Sequence, residues 1–373
     1  QTPTPDPMPT TTPFVRKCNA NGCWDEPVNT PTPTPIRTPT PTPTRTPTPK
    51  PTAITTDTCP QYNTGATKTI AMTYVLRGQT RTINFVAYTK LNDYLKAYKK
   101  TYYCTPICPT EREMHLDSIN EPCQRAELLK IVNTIKSATS NKDDQARIAI
   151  NLVQRMPYDY ISLRGTLQDR HPYQVVYDYT GVCGERAKLL AFLLRELGFG
   201  VALLHYDAQN HMVVGIKCPI QYALISNYCF VEAAGTKIIT DYSGDYGEFG
   251  SVGPLTGRPG VYVISDGASF DSVQEEYNDA QTFQRLTRLG QASGGILDEY
   301  SYMTWVSLVN KYGMVIEGYN SGSGGTQPTP TAYDVGIYRC GWGVTNGIRT
   351  CGGTCPPPYE CQLSNGGATC SCS

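Results

Sequence analysis

The chain has 373 residues, 32 of them basic and 32 acidic, for a formal net charge of zero. Balanced charge sets up no long-range field to gather nucleic acid or an anionic membrane, so neither is expected as a partner. No stretch approaches the roughly 18 consecutive apolar residues of a spanning helix, and no membrane span is expected.

Residues 1–58 hold fifteen of the 29 prolines, mostly in Thr-Pro repeats such as NTPTPTPIRTPTPTPTRTPTPKPT. Alternating proline fixes φ and removes N–H donors, so this segment builds no core and is expected to be a polyproline stalk. Residues 30–52 alone would span about 70 Å at ~3.1 Å per residue. Threonine beside proline also suits O-glycosylation. The segment CNANGCW interrupts the stalk with a small loop expected to close through Cys18 and Cys23. The chain opens on Gln1 without a charged and apolar leader, which leads to the expectation that a leader has been removed from a secreted precursor.

A globular domain is expected over residues 66–318, roughly 250 residues and large enough for one core. It begins with TKTIAMTYVLRGQTRTINFVAYTKLNDYL, two strand-like runs around Arg77–Gln79, which read as a hairpin turning at Gly78. Two helices follow, over 124–137 (Leu128, Leu129, Ile131, Val132, Ile135) and 142–155 (Ala146, Ile148, Ala149, Leu152, Val153), the second capped by Asn141.

The stretch richest in chemistry runs from Thr180 to Glu232. Cys183 opens an apolar run, from Ala187 to Leu197, with helical spacing and a stop at Gly198, so it sits on the first turn of a buried helix. A helix start offers unpaired N–H groups and a positive dipole end, both of which favour thiolate. Val201–His205 and His211–Lys217 read as strands around the polar turn Asp207–Asn210, and Tyr228–Ala233 as a third strand carrying Glu232. Cysteine, imidazole and carboxylate on three successive elements fit triad logic. Each has a plainer alternative: Cys183 as half of a disulfide or a core residue, His211 as a core histidine, Glu232 as a solvated edge charge. Asp241 and Asp245 compete with Glu232 as the orienting acid. Tyrosines bracket the site (Tyr158, Tyr160, Tyr173, Tyr177, Tyr179, Tyr242 and Tyr246), and packing explains them more simply than a substrate groove.

Downstream, a strand is expected at Val261–Ser265 and helices near Asp271–Leu289 and Tyr300–Tyr312. Residues 319–332 are a Gly/Ser/Thr/Pro linker. Residues 333–373 form a module with six cysteines, too short to fold without disulfide staples, which looks like small EGF-like or knottin-like modules.

The order GVC at a helix start, HMVV on a strand and VEAAG on the next resembles the transglutaminase-like superfamily of papain-type cysteine enzymes. More closely, PYQVVYDYTGVCGERAKLLAFLLRELGF, NHMVVGIK and FVEAAG are similar to secreted transglutaminase-like domains common in archaea. The resemblance implies an α+β fold in which a cysteine on a buried helix packs on an antiparallel sheet bearing the histidine and the acid. It also implies Cys183 as nucleophile, His211 as general base and Glu232 as third member. The third member in that superfamily is more often aspartate, commonly followed by threonine; here Ala233 and Ala234 follow a glutamate.

The fifteen cysteines point to an oxidising compartment. They fall into even groups: Cys18 and Cys23; then Cys59, Cys104, Cys108, Cys123, Cys218 and Cys229; then Cys340, Cys351, Cys355, Cys361, Cys370 and Cys372. Cys183 is left over, which supports the nucleophile without using the resemblance. Connectivity within the groups is open. The four histidines, His115, His171, His205 and His211, form no zinc-finger spacing with a cysteine pair, and DYSGDYGEFG lacks calcium-loop spacing. No metal or cofactor is expected.

The expectation is a secreted or cell-surface cysteine enzyme acting on a protein or peptide by acyl transfer at an amide, most simply hydrolysis, with crosslinking as a variant. The alternative is a structural, adhesive or filament-forming protein, a cell-wall or surface-layer component or a homopolymer, using the same domain as a scaffold.

Overall fold

A computed structural model describes residues 59–98, 108–159, 169–243, 255–292 and 297–314, together with backbone strands at 14–19, 22–27, 340–345, 348–353, 361–364 and 369–372. The chain divides into two compact units, Gln1–Ala53 and Ile54–Ser373. In the first, β1 (Phe14–Asn19) and β2 (Gly22–Pro27) pair antiparallel with Cys18 opposite Cys23. The Thr-Pro repeats and the 319–332 linker lie outside the described residues.

The second unit starts with a hairpin, β3 (Thr67–Leu76) and β4 (Gln79–Tyr88). Its two turn residues, Arg77 (φ 49°) and Gly78 (φ 77°), both adopt left-handed backbone, as a two-residue turn matching strand twist requires. Alternate residues Ile70, Met72 and Tyr74 on β3 and Ile83, Phe85 and Ala87 on β4 are buried, so one face of the hairpin meets the core. The second strand stops at Tyr88. TKLNDYL, which reads from sequence as its continuation, instead opens helix α1 (Thr89–Ala97), because Leu91 and Leu95, one turn apart, are both buried.

Helices α2 (Glu111–Ile119), α3 (Pro122–Ala138) and α4 (Lys142–Gln154) follow. Asn141 caps α4 by accepting from Asp144 N–H at 3.0 Å. A disulfide from Cys59 to Cys123 ties the segment ahead of the hairpin to the first turn of α3. After α5 (Pro172–Asp178) comes α6 (Cys183–Glu196), whose side chains from Ala187 to Leu194 are all at most 2% exposed, so it runs through the core.

The central sheet holds β5 (Val201–Tyr206), β6 (His211–Lys217), β7 (Tyr228–Val231) and β8 (Gly260–Ser265) in the order β7-β6-β5-β8, every pair antiparallel. One face, with Leu203, Met212, Val214 and Ile216, packs into the core that surrounds α6. The other, with Leu204, Tyr206, Val213 and Phe230, forms a second cluster covered by Leu224, Ile225, Leu255 and Val261. A disulfide from Cys218 to Cys229 staples the end of β6 to the start of β7. Helices α7 (Gln274–Ala292) and α8 (Glu299–Tyr312) follow in this unit, which is of mixed α+β type.

Four further strands, β9 (Cys340–Thr345), β10 (Ile348–Gly353), β11 (Cys361–Ser364) and β12 (Thr369–Cys372), form two antiparallel pairs with Cys361 opposite Cys372. Cys108 is disulfide-bonded. Cys104 and Cys355 lie outside the described residues, as do the side chains of Cys18, Cys23, Cys340, Cys351, Cys361, Cys370 and Cys372. Among the described residues no helix is long and apolar enough to cross a membrane.

Candidate active site

Cys183 is the first residue of α6, and among the described residues it is the free cysteine, half-buried. Glu185 closes the turn beneath it by accepting from Val182 N–H at 3.0 Å. That carboxylate is held by Arg170, which also pairs with Asp159 and Asp178 and so offsets the negative charge at the helix start. Gly181 is required by close approach: a Cβ there would stand 3.0 Å from Arg186 Cγ and 3.2 Å from Val175 Cγ1.

Arg186, one turn into the helix and fully buried, donates to Ala234 O (2.7 Å), Val153 O (2.5 Å) and Gln154 O (2.8 Å). A planar guanidinium suits several carbonyls at once. It joins the cysteine helix, the end of α4 and the segment after Glu232, so three elements share one anchor.

His211 is the first residue of β6, reached through a 3-10 turn at Asp207–Gln209 and through Asn210 in left-handed backbone (φ 46°). Its Nε2 lies 3.0 Å from Glu232 Oε2, with both side chains at most 5% exposed. The Cys183 thiol is hydrogen-bonded to the same ring. With Nε2 committed to Glu232, Nδ1 is the nitrogen that faces the sulfur. The three residues singled out in the sequence therefore meet in one chain of contacts.

Glu232 follows β7 directly. Its Oε1 accepts from Ala233 N–H (2.9 Å) and Ala234 N–H (2.8 Å), so the long side chain folds back on its own backbone while Oε2 meets the imidazole. Gln154 Nε2 donates to Glu232 O at 3.0 Å and Lys237 O at 3.1 Å and steadies that turn. Asp241, the competing acid, is occupied elsewhere: its Oδ1 accepts from Ser243 N–H at 3.1 Å and Gln284 Nε2 at 2.7 Å. Asp245 lies outside the described residues.

These contacts set the charge state. Burial pushes the Cys183 thiol up, but the hydrogen bond and positive charge of His211, with a further bond from Met212 N–H, outweigh it and leave the thiol below its ordinary value. Burial by itself would lower His211; the Glu232 charge and the bonds to Cys183 and Glu232 carry it up to about 10. Both shifts run toward a thiolate–imidazolium pair, the form in which cysteine is nucleophilic.

Two tyrosines border this pair. Tyr206 faces His211 across the β5–β6 ladder and is pushed up to about 12 by burial and then by the Glu232 charge. Tyr158 makes a parallel bridge to Gly181, and its hydroxyl is hydrogen-bonded to both the backbone N–H and the sulfur of Cys183. Packing accounts for other tyrosines of the bracket: Tyr173 is fully buried with its hydroxyl on the Tyr88 backbone, and Tyr177 meets Thr89 Oγ1 at 3.1 Å. Tyr160 and Tyr246 lie outside the described residues.

No family model matches the chain, and neither does any curated protein. Among solved structures it is similar to calcium-bound LapG of Legionella pneumophila, at 14% identity and a TM-score of 0.24, over 52% of this chain and 96% of that one. A likeness that low bears on neither fold nor chemistry. Among the described residues no cluster of three or more His, Cys, Asp and Glu side chains is placed to hold a metal ion.

Three features of the site are given no role by the sequence. Tyr158 is among the tyrosines that bracket the site, where packing is the simpler reading of it. Arg186 is a charged residue inside an apolar helix. The seat of Glu232 is made by backbone amides, which any sequence supplies.

Proposed function

We propose that this chain is a cysteine enzyme of the transglutaminase-like type that transfers an acyl group from an amide, in its simplest form to water. The Cys183 thiolate adds to the carbonyl carbon, and His211 gives its proton to the leaving amine. It then takes a proton from the incoming water, and Glu232 holds the ring in one tautomer throughout. A lysine amine in place of water would give a crosslink through the same acyl-enzyme. The observation that carries this reading is the half-buried thiol bonded to an imidazole whose other nitrogen rests on a buried carboxylate. Disulfides at Cys59–Cys123 and Cys218–Cys229 support an oxidising, extracellular setting.

Iodoacetamide tests the reading directly. The native protein should be alkylated at one site near neutral pH, with the label on the Cys183 peptide and none on the Cys183→Ala variant. An unlabelled native protein would remove the nucleophile and leave the scaffold alternative standing.

A further inference from the structure

The proposed reaction needs a second group that no triad supplies. When the thiolate adds to a carbonyl, the C=O electron pair moves to oxygen, and that oxyanion needs two donors. The backbone N–H of Cys183 is one, since it lies beside the new C–S bond on the unpaired first turn of the helix. In the structure that N–H is bonded to the Tyr158 hydroxyl, which also reaches the Cys183 sulfur. A group within hydrogen-bond reach of both atoms stands where the oxyanion will form.

We infer that Tyr158 is a catalytic residue, the side-chain donor of the oxyanion hole, with its hydroxyl holding the place of the substrate oxygen until substrate arrives. The inference rests on the acyl-transfer reading above. A carbonyl oxygen taking the Cys183 N–H displaces the phenol oxygen by about one hydrogen-bond length, ~3 Å. The phenol then turns its O–H toward the newcomer. Thiolate and carbonyl carbon form the C–S bond, and the alkoxide is held by Cys183 N–H and Tyr158 O–H. Its collapse restores C=O and breaks the bond to the leaving group, which takes its proton from His211.

Two features of the structure suit a donor. The backbone bridge from Tyr158 to Gly181, with Asp159 N–H on Gly181 O at 3.3 Å and Thr180 Oγ1 on Pro157 O at 2.9 Å, fixes the phenol beside the helix start. Burial first, and then the Cys183 charge, push the phenol well above its ordinary range, so near neutral pH it keeps its proton. A phenolate would repel the oxyanion; a phenol binds it.

The test separates two reactions of one sulfur. Iodoacetamide alkylates Cys183 by displacement at a saturated carbon and forms no oxyanion. p-Nitrophenyl acetate acylates it through a tetrahedral oxyanion and releases nitrophenolate in a measurable burst. In Tyr158→Phe, which keeps the ring and its packing, alkylation should proceed within about twofold of the native rate, while the acylation burst slows by on the order of 10- to 100-fold. Unchanged or faster acylation would make Tyr158 a plug or a packing residue and overturn the inference. A parallel fall in both rates would place its effect on the thiolate and overturn it equally. If native Cys183 resists iodoacetamide, it is the acyl-transfer reading itself that fails.

Discussion

Glu232 shows how much of this site is decided by single side chains. Its carboxylate touches three donors, the imidazole of His211 and two amides of its own chain, and none of the three contacts is longer than 3.0 Å. Aspartate, one methylene shorter, would have to give up part of that set. The titration consequences carry definite signs. His211 has a folded value above its ordinary 6.5, so its contribution to stability is complete below 6.5 and is lost as pH rises through about 10. Cys183 lies below its ordinary 9.0, so its contribution is present above 9.0 and is lost as pH falls through the lowered value. The ion pair is therefore densest between those two limits. Replacing Glu232 by Gln keeps an acceptor for the alanine amides and removes the charge. Carbon resonances of the His211 ring should then titrate well below 10, moving toward the ordinary value near ~6.5. A midpoint that stays put would mean the carboxylate does not hold the proton.

At the scale of elements, the turn Gly181–Gly184 sets the approach of the cysteine helix. Two glycines there have opposite surroundings: a Cβ at Gly181 meets Arg186 and Val175, whereas one at Gly184 meets nothing within 4 Å. Gly181→Ala should lower stability by about 1–3 kcal/mol through overpacking and slow acylation of Cys183 as well. Gly184→Ala, inside a helix, should raise stability by about 0.5–1 kcal/mol. Urea midpoints measure both, and equal effects at the two positions would refute the packing account. The elements themselves were readable wherever the period was local. The Arg77–Gly78 hairpin, the Asn141 cap, the helix starting at Cys183 and the β5–β6 pair each declare themselves within one continuous stretch of chain. Helix α1 does not, because Thr89–Ala97 follows a strand and its two buried leucines are too few to mark a period. For the candidate site, the places of Cys183, His211 and Glu232 could be read from three neighbouring elements. Arg186 could not, and Tyr158 only as one of several bracketing tyrosines read as packing, since each acts through partners far off in sequence that only the folded chain brings near.

Within the Ile54–Ser373 unit, two disulfides between described residues divide the labour of holding the core. Cys59–Cys123 closes a separation of 64 residues and Cys218–Cys229 one of 11. Loop-closure entropy alone values them at about 4 and about 3 kcal/mol. Their effects on chemistry should run the other way. Removing the longer bridge, as Cys59→Ala with Cys123→Ala, should lower the urea midpoint more and leave acylation of Cys183 nearly intact. Removing the shorter, as Cys218→Ala with Cys229→Ala, frees β7 and with it the seat of Glu232, so acylation should slow out of proportion to the stability lost. The reverse ranking would show that β7 does not depend on its staple. The half-buried free thiol has a further consequence, for the working lifetime of the protein. The sulfurs of those bridges are already oxidised, and among the described residues Cys183 is the free cysteine, its thiol shifted toward the thiolate that oxidants attack first. Ageing in air should therefore act on one atom first, giving a population that melts, migrates and scatters like fresh protein yet no longer turns over.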